Sequence, residues 1–149
     1  MKMVKPDRES LLTCLRIERW ADALAGHPFD TLLGLERTAV AAATPLTEAE
    51  IDEALVGVPP MSESLFSADA VDDADLIRRG KSGCAAYDER YGRVFAIRAD
   101  GRSLEQIVTE LERRLENGPA AELAEVADQL RGIALVRLRE LYAAEFDAA

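Results

Sequence analysis

Few residues of this chain have the type and spacing for chemistry, and they are scattered. His27 is the only histidine. One imidazole, with no HExxH pair and no His/Cys cluster, cannot make an ordinary zinc site, so no metal cofactor is expected. Cys14 and Cys84 stand far apart and outside any CxxC spacing. They read as two buried, reduced thiols of a cytoplasmic protein, with a single disulfide as the other arrangement. No histidine is expected beside Cys84 to activate it, so packing outweighs nucleophilic work there. Asp69, Asp72, Asp73 and Asp75 lack the Asp-x-Asp-x-Asp-Gly order of a calcium loop and read as a solvated turn. Ser67 is either a helix cap or a ligand contact. Arg137, at helical spacing from Glu140, reads first as an ion-paired surface side chain.

The elements that must position these residues are helices. Apolar residues make up 48% of the chain and aromatics only 5%, a mix that suits packed helices better than sheets. The 149 residues suffice for one domain with a real core. A formal charge of −10 argues against nucleic acid and against an anionic membrane surface. No stretch is long and apolar enough for a transmembrane helix, and the first residues lack the apolar core of a secretory signal. A cytoplasmic protein is expected, with residues 1–8 as a flexible N-terminus.

Periodicity and punctuation predict one helix from Ser10 to Ala25, with Leu11, Leu12, Leu15, Trp20, Ala23 and Leu24 inward. Asp30 is the expected cap of a second helix to Ala43, ended by Thr44-Pro45. Thr47 and Glu50 form a capping box opening a third helix to Val56. Gly57 to Met61 reads as a loop. The next helix starts near Ser67 or Asp72 and ends at Tyr91-Gly92, with Gly80 and Gly83 weakening its middle. Val94 to Ala99 alternates like a strand but has no partner, so an extended connector is expected. Ser103 and Gln106 form a second capping box, leading a helix with Ile107, Val108, Leu111 and Leu115 inward. After Asn117-Gly118-Pro119, a last helix carries Leu123, Val126, Leu130, Ile133, Leu135, Leu138 and Leu141. The fold class is all-α, a single-domain helical bundle.

Motifs distributed from Leu11 to Leu141 point further. Leu11-Leu12-x-Cys14, Trp20-Ala21 and Pro28-Phe29 come first, then Leu46-Thr47-Glu48 and the Pro59 loop. Tyr87-Asp88-Glu89-Arg90-Tyr91-Gly92 leads into Val94-Phe95-Ala96-Ile97-Arg98-Ala99. Arg113-Arg114-Leu115-x-Asn117, Glu122 and Ile133-x-Leu135-x-Arg137-Leu138 close the series. In this order the chain resembles the 2-oxo-4-hydroxy-4-carboxy-5-ureidoimidazoline (OHCU) decarboxylases, which make (S)-allantoin late in urate breakdown. The resemblance implies a cofactor-free, all-α domain binding a small molecule, and a homodimer, since family members often pair.

It also implies a damaged site. The family's most recognisable segment reads His-Pro-x-x-Gly, then Ser-x-x-Glu-Gln; its histidine is the acid/base and the later residues hold substrate. Here Val58 takes the histidine's place, before Pro59, Pro60 and Met61. Ser67 is kept, but Ala70 and Val71 replace Glu and Gln, and Cys84 replaces an asparagine. Phe95, Ile97 and Ala99 survive in the segment whose backbone the family uses for substrate, and Arg137 matches an arginine that would face a carboxylate. Glu63, Asp69 and Tyr87 are the remaining candidates for proton transfer; a shifted alignment brings Asp72 or Asp73 toward the glutamate's place. His27 matches no catalytic position. A pocket walled by Val58, Met61, Val71 and Phe95 is expected to take a less polar ligand than OHCU.

Overall fold

The computed structural model describes residues 3–58, 73–98 and 101–147. They form seven helices, here α1 (Arg8–Cys14), α2 (Glu18–Leu24), α3 (Leu32–Ala42), α4 (Glu48–Leu55), α5 (Ala74–Tyr91), α6 (Leu104–Arg114) and α7 (Pro119–Asp147). The only β-type pairing among the described residues is an isolated antiparallel bridge between Val4 and Phe29. The chain divides into two compact units, one of residues 1–54 with 127–149 and the other of residues 55–126.

In the first unit, the predicted single helix from Ser10 to Ala25 is two, because the backbone extends at Leu15 and Ile17. The reason is geometric. Leu11 and Trp20 are nine residues apart, which on one straight helix puts them on roughly opposite faces, at ~100° per residue. With the break, Leu11, Leu15, Ile17, Trp20 and Leu24 are all buried. Ala21 joins them, and Ala23, predicted inward, is exposed. Trp20 donates its indole N–H to the Ala39 carbonyl of α3 at 2.9 Å, so its polar edge is satisfied inside the core.

The segment before α1, expected to be flexible, is held. Val4 and Phe29 exchange both backbone hydrogen bonds, at 2.8 and 2.9 Å, and Gly26 donates to the Pro6 carbonyl. Val4 is buried by the contact. Helix α3 is capped by Thr31 rather than Asp30, its side chain accepting from the Gly34 amide. The Thr47–Glu50 capping box is present in both directions, at 3.0 and 3.1 Å. Glu50 also accepts from Arg19. From the part of α7 in this unit, Arg131 caps the end of α3 through the Ala43 carbonyl, and Arg139 grips Glu36 with two nitrogens. Leu141, predicted inward, is 44% exposed.

The second unit is built around α5 and α6. Asp73 caps α5, accepting from the amides of Asp75 and Leu76. Gly92 ends it in the left-handed region, with φ 68°. Ser103 and Gln106 form the expected capping box of α6. Tyr87, Phe95, Ile97, Ile107, Val108 and Leu111 make one core, with Leu115 packed at its edge. Residues 94–98 join the helices without regular structure, as predicted for the connector.

Gly83 is not a weak point of α5. It is buried, and a Cβ there would lie 2.7 Å from a Leu111 methyl. The missing side chain lets α5 and α6 approach. Gly83→Ala should therefore destabilise the protein by ~1–3 kcal/mol through overpacking, more than its helix-propensity gain of about 1 kcal/mol. Urea denaturation in a double-mutant cycle checks this: most of the cost should vanish when Leu111 is already alanine.

Candidate functional site

The structure places the sequence-derived candidates as follows. Val58 is half-buried, its amide donating to the Leu55 carbonyl at 3.0 Å as α4 ends. Pro59, Met61, Glu63, Ser67, Asp69, Ala70, Val71, Asp72 and Ala99 lie outside the described residues. Phe95 and Ile97 are core residues, 3% and 4% exposed. Their side chains belong to the packing around Tyr87. Arg137 is exposed, and its guanidinium donates to the Thr13 carbonyl at 3.0 Å; among the described residues no carboxylate pairs with it. His27 is exposed in the turn before the Val4–Phe29 bridge. Asp73 is committed to capping α5.

Tyr87, named above as a proton-transfer candidate, lies in the core of the second unit. Its ring is fully buried and its hydroxyl donates to Glu122. Burial, and the hydrogen bond to that carboxylate, push the phenol well above its ordinary range. A phenol held this way is a fixed donor, not a mobile acid.

Around it lies a buried polar cluster that the sequence reading had noted only as scattered family matches. Arg114 is 0% exposed and Glu122 2%. Arg114 Nε reaches the two Glu122 oxygens at 3.2 and 3.0 Å, and Nη2 closes the second arm of the pair. Asn117 donates to Glu122 at 3.1 Å. The remaining terminal nitrogen of Arg114 donates to the Ala96 carbonyl at 2.7 Å. The guanidinium also sits 4.6 Å from the centre of the Phe95 ring. Phe95 meets Tyr87 edge-on at 5.3 Å between centroids. Tyr91 completes the arrangement by donating to the Arg114 and Asn117 carbonyls at the end of α6.

The local sequence explains the assembly. Arg114 ends α6 facing inward, while the adjacent Arg113 faces out and pairs with Glu110 and Glu125. Asn117-Gly118-Pro119 turns the chain so that Glu122, in the first turn of α7, returns over Arg114. A cleft of about 90 Å³ lies on this cluster, lined by Tyr87, Arg90, Tyr91, Glu122 and Leu123, among others. No group of three or more His, Cys, Asp or Glu residues among those described could hold a metal. No described helix is long and apolar enough to cross a membrane.

The OHCU decarboxylase family model matches residues 6–139. The chain belongs to the OHCU decarboxylase family. No curated protein matches it. Among solved structures, one titled "Crystal structure of OHCU decarboxylase in the presence of (S)-allantoin" is 23% identical with a TM-score of 0.79, covering 93% of this chain and 99% of the other. An (S)-allantoin synthase structure is 19% identical with a TM-score of 0.69; the match covers 89% of this chain and 48% of that one. These likenesses confirm the all-α fold expected from periodicity and motif order.

Two thiols complete the inventory. Cys14 is buried, Cys84 is half-buried, and both are free. Burial pushes each up to about 11. A folded-state value above the unfolded one means that this contribution to stability is fully present below about pH 8.5 and is lost as pH rises through about 11. At pH 8 neither thiol should react with Ellman's reagent in the native protein, and both should react at once in urea. Fast native labelling of Cys84 would contradict its packing.

Proposed function

We propose that this protein is a cofactor-free enzyme of OHCU-decarboxylase descent that acts on a ring compound less polar than OHCU. The observation that carries the reading is Val58. It stands where the resemblance puts the family's acid/base histidine, and the only imidazole of the chain, His27, lies in the other compact unit. Tyr87, one of the three groups considered for proton transfer, is hydrogen-bonded to Glu122. Loss of a general acid or base alone costs about 10²- to 10⁴-fold in rate. Replacing Glu and Gln by Ala70 and Val71 further removes the partners for a ureido group.

The chemistry available to such a pocket is that of binding and shape. OHCU can release carbon dioxide because its own ring accepts the electron pair, so the protein needs only to orient the carboxylate, exclude water and steer a proton. A related substrate that carries its own electron sink needs still less from the side chains. Decarboxylation, cyclisation or rearrangement in specialised metabolism fits this capacity. Ordinary OHCU decarboxylation is the second reading, favoured by the family match over residues 6–139, with Glu63 or Asp69 as the acid.

Freshly generated OHCU separates the two. The leading reading expects racemic allantoin at the background rate; optically pure (S)-allantoin formed with turnover establishes the second. Calorimetry should show no tight binding of (S)-allantoin, the compound present with the 23%-identical decarboxylase. A less polar relative, 5-isopropylhydantoin, should raise the Tm. The substitutions Val58→His, Ala70→Glu and Val71→Gln together should create or raise OHCU turnover; no gain in a well-folded variant counts against the mapping of Val58.

A further inference from the structure

Residues 94–98 present a physical problem. They have neither helix nor ladder, yet Phe95, Ala96 and Ile97 are each buried to within a few per cent. A buried irregular segment must have its carbonyls satisfied from elsewhere. For Ala96 the donor is Arg114, whose five N–H groups face three separate partners: the Glu122 carboxylate, the Ala96 carbonyl and, at 3.5 Å, the Tyr87 hydroxyl. The same guanidinium covers the Phe95 ring.

We infer that Arg114 is a positioning residue for the ligand site: with Glu122 and Tyr87 it clamps the 95–97 backbone in the one geometry that a bound ring compound requires. This rests on the reading above and on the family resemblance, which implies that the backbone of this segment holds the substrate. A purely structural pair would have a simpler solution. Well-packed apolar residues of similar volume usually match or exceed a buried ion pair in stability. This pair is retained at full desolvation, and its extra arm goes to a segment that has no secondary structure of its own. A lysine cannot replace it, because one ammonium on a flexible stem cannot hold the carboxylate in two contacts and reach the carbonyl with a third.

The discriminating variant removes the clamp without leaving an orphaned charge. Arg114→Met, Glu122→Leu and Tyr87→Phe together should lower the urea midpoint less than Arg114→Met alone, since the Ala96 carbonyl loses its donor but no charge is stranded. Arg114→Met alone strands Glu122 and serves only as the destabilised control. In the triple variant, amide exchange at residues 95–97 should rise at least about tenfold, the factor expected for losing one charge-assisted hydrogen bond. Affinity for 5-isopropylhydantoin should fall by a similar factor. Arg114→Lys should restore part of the stability but not the protection or the affinity. A stable triple variant with unchanged exchange and unchanged hydantoin affinity overturns the proposal and leaves the cluster with a structural role. Should the unmodified protein bind no hydantoin, the ligand reading fails and with it the claim that the clamp serves that ligand. Exchange at 95–97 then still decides whether Arg114 fixes the backbone at all.

Discussion

The burial of one guanidinium is the constraint around which α5, α6, the start of α7 and residues 95–97 are arranged. The Arg114 guanidinium offers five donors and no acceptor, so its buried neighbours must accept from it or balance its charge. Glu122 does the first, and the Ala96 carbonyl the second. Tyr87 then takes the carboxylate lone pair left over, which fixes α5 against the start of α7. Phe95 and Tyr91 follow, because their rings are the faces this cluster packs against. Remove the charge and four segments lose their common reference point at once.

Seen from that cluster, the division between container and contents is clear. The family likeness survives in the groups that close the core: the tyrosine of α5, the inward arginine of α6, the asparagine of the turn and the glutamate of α7. A fold alone carries no particular chemistry.

How much of this the sequence made legible depended on how local the cause was. Capping boxes at Thr47–Glu50 and Ser103–Gln106 were readable because donor and acceptor lie within one turn. The lack of a strand at 94–98 was readable because no partner segment existed. The break at Leu15–Ile17 was less so: the spacing of Leu11 and Trp20 sets them on opposite faces of one straight helix, but no local breaker residue marks the interruption. Gly83 was misread: propensity counts it as a cost, but Leu111, from a different helix, turns it into a fit. The Arg114–Glu122 pair sits eight residues apart across a turn, where pattern reading sees only two common charges. Tyr87 was picked out as titratable but its partner, on another helix, decided its behaviour. The Val58 reading came from motif resemblance, and the residues that follow it from 59 to 72 lie outside the description.

The partition of the chain has a consequence for how the molecule is made. Residues 55–126 are contiguous, whereas the other unit combines residues 1–54 with 127–149. A ribosome delivers the chain from the N-terminus, and compact regions acquire structure as they become complete. The Arg114-centred unit therefore has every residue it needs while the opening helices still await the far half of α7.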